Sequence, residues 1–140
     1  MLKPILYEGG ISFDKRGSVS YNNNLTFKKI KRFYIVQNKK NNFVRAWHGH
    51  KKEAKYILCI KGKVKVSAVR IKDFKKPNNN SKIYSWIIND KKPSVVFIPP
   101  GFANGTKSLL KGTKIFVLSN STLKDSSKDD FRFKENFWKI

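Results

Sequence analysis

Apolar residues arrive along the chain in short runs rich in Val, Ile, Phe and Tyr, separated by clusters of Gly, Asn, Pro or Lys. The pattern predicts strands over Ile30–Gln37, Phe43–His48, Lys55–Ile60, Lys63–Lys72, Ile83–Ile88, Ser94–Ile98 and Lys114–Ser119. In KVKVSAVRIK, residues Val64, Val66, Ala68 and Ile71 nearly hold one parity, slipping once near Arg70, so one face of that strand is expected to be buried. Lys61-Gly62 falls between two runs and reads as a tight hairpin turn, because Gly accepts the positive φ such turns require. Helix is scarce, and Pro77–Lys82 and Leu123–Asp130 read as polar loops. Many short strands at this spacing predict an all-β sandwich or barrel.

Composition fits one compact domain. A chain of 140 residues can remove roughly two-thirds of its unfolded surface from water, and 11 Phe, 5 Tyr and 3 Trp supply bulky material to bury. The single Cys59 excludes an internal disulfide framework and any multi-cysteine zinc site, and an inert buried thiol in a reducing compartment, the cytoplasm, is expected. No run approaches the length of a membrane span, and the opening MLKPILYEGG lacks the features of a secretion signal.

The net charge of +22 points first to a polyanionic partner. Its distribution argues otherwise, since only 5 of the 31 basic residues are Arg and the lysines are spread from Lys3 to Lys139. Base readers favour the two-pronged geometry of Arg, and the chain has no zinc-finger spacing, helix-turn-helix pattern or RNP-like aromatic string. No nucleic-acid partner is expected. The readings left are a solvated Lys face and a positive funnel for a small phosphorylated ligand.

The two histidines are His48 and His50, at the end of a predicted strand and on one face of it. Facing a barrel interior near Arg45, on the opposite parity, and Glu53, two imidazoles would line a cavity in which protons can move. Trp47, opposite in parity to His48, reads as packing, as do Trp86 and Phe102. Lys51 and Lys52 read equally as solvated side chains or as diphosphate ligands at a pocket mouth.

The stretch Val44–Val66 (VRAWHGHKKEAKYILCIKGKVKV), followed by Phe97–Gly105 (FIPPGFANG), resembles the RmlC-like cupins, small jelly-roll barrels that isomerise nucleotide-activated sugars. The epimerase branch, dTDP-4-dehydrorhamnose 3,5-epimerase, carries R-G-L-H-x-Q and P-x-G-x-A-H-G-F at these places, and the 3,4-ketoisomerase branch carries R-G-x-H-A-H-K. Phe13–Ser20 (FDKRGSVS) is similar to the D-x-R-G stretch of both branches, and Arg32–Asn38 (RFYIVQN) to the strand before the His motif.

The resemblance implies a single cupin domain that acts on a dTDP-linked 4-keto sugar, without cofactor or metal. It makes His48 the proton-abstracting base, His50 the second histidine of the ketoisomerases and Tyr34 their active-site tyrosine. It makes Arg45 a ligand for sugar or diphosphate, Lys55 a group that polarises the ketone oxygen, and Lys51 and Asn104 substrate contacts. Glu135, in Phe131–Trp138, is the nearest match to an epimerase aspartate that orients the catalytic histidine. A homodimer is also implied, with the N-terminal strand of one subunit completing the partner's sheet.

The departures matter as much. Asn104 stands where the epimerases have histidine, and their acid tyrosine falls near Val117. Two histidines on one face favour a ketone shift, whereas the long Lys63–Phe74 arm and the PPGFANG turn look like epimerase framework. Three other readings stay open: a 3- or 3,5-epimerase, a non-catalytic sugar-nucleotide binder, and a metal-dependent cupin using His48, His50 and Glu53.

Overall fold

The chain alternates between two facing antiparallel sheets, so nearly every strand buries one side against the opposite layer. The structure, a computed structural model, describes residues 2–140. The strands are β1 (Ile5–Tyr7), β2 (Gly10–Asp14), β3 (Gly17–Tyr21), β4 (Arg32–Gln37), β5 (Val44–His50) and β6 (Lys55–Lys61). They continue with β7 (Lys63–Arg70), β8 (Ile83–Asn89), β9 (Val95–Ile98), β10 (Phe102–Ser108), β11 (Lys114–Ser119) and, after the short helix α1 (Leu123–Ser127), β12 (Phe131–Arg132). One sheet runs β1-β9-β6-β11-β4 and the other β12-β5-β10-β7-β8, while β2 and β3 pair only with each other. This is the expected all-β jelly-roll barrel.

Between the sheets lies a core that includes Ile57, Val66, Ala68, Val96, Phe102 and Val117. A second cluster forms outside the β5 sheet, where Trp138 packs edge-on against the fully buried Trp47 at 5.5 Å and Phe133 and Phe137 close over them. Trp47 is therefore packing, as its parity implies. The Trp47 indole N–H donates to the Trp138 carbonyl at 3.0 Å, which pins the C-terminal segment to the sheet.

Several expectations change. Lys61 pairs with Lys114 and Lys63 with Asn89, so the Gly62 turn passes the chain from one sheet to the other and makes no β6–β7 hairpin. Gly62 does have a positive φ of 84°, and a Cβ there would meet Thr113 Oγ1 at 2.5 Å. Phe102–Ser108, absent from the predicted strands and overlapping the PPGFANG turn, is the central strand β10 between β5 and β7. Leu123–Asp130 contains α1, whose N-cap Thr122 accepts from the Asp125 amide. The hairpin β2–β3 stands away from both sheets with Phe13 and Val19 exposed.

Candidate active site

The edges of the two sheets, β4 on one and β5 with β12 on the other, border a cavity of about 420 Å³. From the β5 sheet, Arg45, His48, Asn104 and Arg132 line it; from the β4 sheet, Tyr34, Lys55, Ile57 and Val117 do so. A single His therefore faces a Tyr and a Lys across the gap.

The register of β5 explains why Arg45 and His48, three apart, share this cavity. His48 pairs with Asn104 and Arg45 with Thr106, leaving Ala46 and Trp47 together opposite Gly105. This β-bulge changes the parity of the strand, which simple alternation from the sequence misses. Gly105 permits it, since a Cβ there would lie 2.9 Å from the Ala46 Cβ and 3.2 Å from the Trp47 ring. Arg45 is then held by its Nε–H, which donates to Asn38 Oδ1 at 2.7 Å, while the buried Asn38 donates to Ser108 Oγ at 2.7 Å.

His48 is half-buried, and burial, followed by the charges of Lys55 and Arg132, pushes its imidazolium below the ordinary histidine range. The neutral, proton-accepting ring is thus favoured. Asn104 lies on the cavity wall with its side-chain amide donating to the His48 carbonyl at 3.0 Å. Lys55 is only 8% exposed and, among the described residues, forms no ion pair. Its ammonium is free for an anionic or carbonyl oxygen in the cavity.

His50 is not a cavity wall. Its Nδ1 lies 2.5 Å from the Asp129 carbonyl and 3.2 Å from Glu53 Oε2, both acceptors, so Nδ1 carries the proton. Burial and the Lys55 charge lower its pKa, and the buried Nε2 has no partner among the described residues. Glu53, 2% exposed, is the hub of this cluster: Oε1 accepts from Arg32 Nη2 at 3.1 Å and Ser119 Oγ at 2.5 Å, and Oε2 accepts from Ser126 Oγ at 2.8 Å. Burial alone would raise its carboxyl, but Lys55, Ser119, His50 and Ser126 together hold it below the usual value. Asp129 closes the loop by accepting the amides of Lys51, Lys52 and Glu53 at 2.8–2.9 Å.

Three other sequence assignments lie elsewhere. The ligand set of the alternative metal-dependent reading does not assemble, because Glu53 and His50 bond to this cluster while His48 faces the cavity; among the described residues no three His, Cys, Asp or Glu side chains are placed to hold one ion. Lys51 is exposed, its ammonium 5.0 Å from the Phe131 ring, in a groove beyond the Asp129 loop. Glu135 is exposed and contributes a backbone carbonyl to the Trp47 indole, outside the cavity. The C-terminal residue that does reach the cavity is Arg132, placed by β12 opposite His48 and paired with Asp130 at 3.0 Å. Its signal in the sequence was too short to read, since β12 has two residues.

The chain matches the family model described as WxcM-like, C-terminal (FdtA) over residues 10–139. No curated protein matches it. Among solved structures it is similar to the Mycobacterium tuberculosis rmlC epimerase, with 16% identity and a TM-score of 0.76 over 93% of this chain and 68% of that one. It is similar to a mutant of the 3,4-ketoisomerase QdtA from Thermoanaerobacterium thermosaccharolyticum in complex with TDP-4-keto-6-deoxyglucose, at 21% identity and a TM-score of 0.69, covering 98% and 93% of the two chains. The WlaRB TDP-quinovose 3,4-ketoisomerase from Campylobacter jejuni matches at 19% identity and a TM-score of 0.69, over 98% of each chain.

Proposed function

The chain belongs to the WxcM-like, C-terminal (FdtA) family, and on that premise we propose that it isomerises a nucleotide-linked 4-keto-6-deoxy sugar as a 3,4-ketoisomerase. The observation that carries the reading is the convergence of His48, Tyr34 and Lys55 on one cavity from opposite sheets. A hydrogen on carbon next to a ketone becomes removable when a base lies within hydrogen-bond reach and a donor stabilises the developing oxyanion. His48 is the base and Lys55 the donor.

One imidazole is enough for a ketone shift. His48 takes the hydrogen from carbon 3, and the electron pair delocalises to an enediolate spanning carbons 3 and 4. Return of the proton to carbon 4, with loss of the proton from the carbon-3 hydroxyl and gain of one at oxygen 4, gives the 3-keto, 4-hydroxy product with no net change in atoms. Tyr34 is the hydroxyl that passes the oxygen-bound proton. His50, held at Nδ1 by Asp129 and Glu53, supports this wall without taking a proton. Arg45 and Arg132 at the rim suit the diphosphate.

A 3-epimerase is the second reading, favoured by one observation: Tyr34 stands across the cavity from His48, where an acid could protonate the opposite face of the ring. Incubation with dTDP-4-keto-6-deoxyglucose in heavy water, followed by proton NMR, tests both. A ketone moved to carbon 3 is expected. Deuterium at carbon 3 or 5 without ketone movement would favour the epimerase, and no change in substrate would remove both.

The protein acts as a homodimer in this reading. The outer face of the β4 sheet supports it, because register places Phe33, Leu118, Tyr56, Phe97 and Ile5 in one cross-strand row, of which Tyr56 is already covered by Phe27 and the Phe33 end is open. Phe33 is 63% exposed and its neighbour Ile35 52%, an apolar surface in a chain of charge +22.

A further inference from the structure

Beyond the loop that Asp129 caps lies a groove of about 620 Å³ that shares no lining residue with the His48 cavity. Lys29, Lys31, Lys51, Lys52 and Lys128 border it, together with Phe131. A lysine-rich chain places lysines everywhere, so number alone means little. What bears on binding is that five of them converge on one concavity without ion-pair partners, against four basic side chains in the groove of Arg70, Lys72, Lys76 and Lys82. The ion pairs among the described residues join Arg16 to Asp14, Arg32 to Glu53 and Arg132 to Asp130, and none includes a groove lysine. Two acids stand on the groove wall, Asp125 and Asp129, the latter also held by three backbone amides, so the five ammonium groups outnumber the carboxylates. Like charges gathered in a concave site with a low-dielectric floor raise the local potential and favour a multiply charged anion over a monovalent one. The size falls within the range of small-ligand sites.

We propose that this groove is a second anion site that binds a phosphate-bearing small molecule of the diphosphate or polyphosphate class. It adjoins the catalytic cavity through β12: Phe131 lines the groove, and the next residue, Arg132, lines the cavity. The Asp129 carbonyl on the groove side also holds His50. The ligand is therefore either a separate anion or the nucleotide end of a substrate whose sugar lies by His48.

The test is titration calorimetry of the full chain with inorganic pyrophosphate at low salt. One saturable site per chain is expected at the groove, besides the one that the Arg45 and Arg132 rim of the cavity offers. Lys31→Gln, Lys52→Gln and Lys128→Gln combined should weaken it at least about tenfold, whereas Lys91→Gln, Lys92→Gln and Lys111→Gln combined, which remove the same charge from exposed positions elsewhere, should change it less than about twofold. No saturable binding, or no site that the groove variant weakens more than the control variant does, overturns the proposal. Repeating the titration with dTDP at saturation separates the sources. Retained pyrophosphate binding assigns a separate anion. Lost binding assigns the substrate's own diphosphate if the groove variant also binds dTDP at least about tenfold more weakly, and overturns the proposal if dTDP binding is unaffected.

Discussion

Tyr34 stands directly opposite Val117 in the β4–β11 ladder, and both side chains line the cavity into which His48 points from the other sheet. Opposed residues on antiparallel strands have their Cβ atoms about 5 Å apart. The resemblance puts the epimerases' acid tyrosine near Val117, and here the neighbouring strand supplies a phenol beside that position. The absence of tyrosine at Val117 therefore does not leave the cavity without a hydroxyl, although the donor approaches from closer to the β4 edge.

This arrangement separates the roles of the two walls. His48→Ala should lower turnover of a 4-keto sugar nucleotide by roughly 10²–10⁴-fold, the usual range for a general base. Tyr34→Phe should reduce kcat by at least about tenfold with KM little changed, since only a proton-transferring hydroxyl is removed. Steady-state kinetics with NMR detection checks both, and near-normal exchange in His48→Ala would refute the assignment of the base.

The charges around His48 set the acid limb of the pH profile. Because burial, Lys55 and Arg132 lower its pKa, the neutral base persists below pH 6.5 and the acid limb of kcat/KM should fall below that of an ordinary histidine. Arg132→Gln removes one lowering charge and should move the limb to higher pH. Asp130→Asn removes a raising charge and should move it to lower pH. Opposite shifts in pH–rate profiles are the signature.

How much of this could be read from the sequence depends on how local each signal was. The alternation of Lys114–Ser119 continues to both ends and delimits β11, whereas strand periodicity puts His48 and His50 on one face without saying which way it points. The position of Arg45 was not readable, because the bulge at Gly105 depends on which strand lies beside β5. β10 was missed because Asn and Gly in its middle are turn formers, yet a position between two strands overrides that preference. His50 shares the inward parity of His48 but not its surroundings, since Asp129 comes from 79 residues away to take its Nδ1. Glu53 stood out as a possible metal ligand, but its partners Arg32, Ser119 and Ser126 come from three separate segments.

Glu53 anchors the closed end of the barrel, so its loss should be felt in stability. Glu53→Ala would leave Arg32 without its carboxylate and the Ser119 and Ser126 hydroxyls without the acceptor they donate to, at a cost of about 3–5 kcal/mol. Because the folded-state pKa of Glu53 is lowered, its contribution is complete above the unfolded value near 4.3 and is lost as pH falls through the folded one. His50, also lowered, begins to cost stability below about pH 6.5, where only the unfolded chain gains the proton. Thermal melts from pH 8 to 3 should therefore decline in two stages, with His50→Gln reducing the first and Glu53→Gln the second.

The apolar outer row predicts self-association. Phe33→Lys and Ile35→Lys place charges on exposed positions of β4 and should convert the dimer to monomer with the barrel still folded. Light scattering during size exclusion reads the mass, and circular dichroism reads the fold. A wild-type chain that runs as a monomer at micromolar concentration would contradict the dimer.

The β-bulge gives a prediction that joins packing to the site. Gly105 has the Ala46 Cβ, the Ile140 methyl and the Trp47 ring within 3.2 Å of where its own Cβ would stand, so Gly105→Ala cannot be absorbed by one flexible side chain. Overpacking of this kind costs roughly 1–3 kcal/mol. The relief available is displacement of β5 or of the C-terminal segment that covers Trp47, and either shifts Arg45 relative to Asn38. The melting temperature should fall by several degrees, on the order of 2–8 °C. KM for the sugar nucleotide should rise more than kcat falls, because Arg45 at the rim is disturbed before His48, whose pairing with Asn104 lies beyond the bulge. A variant with lowered melting temperature but unchanged KM would show that the bulge serves packing alone.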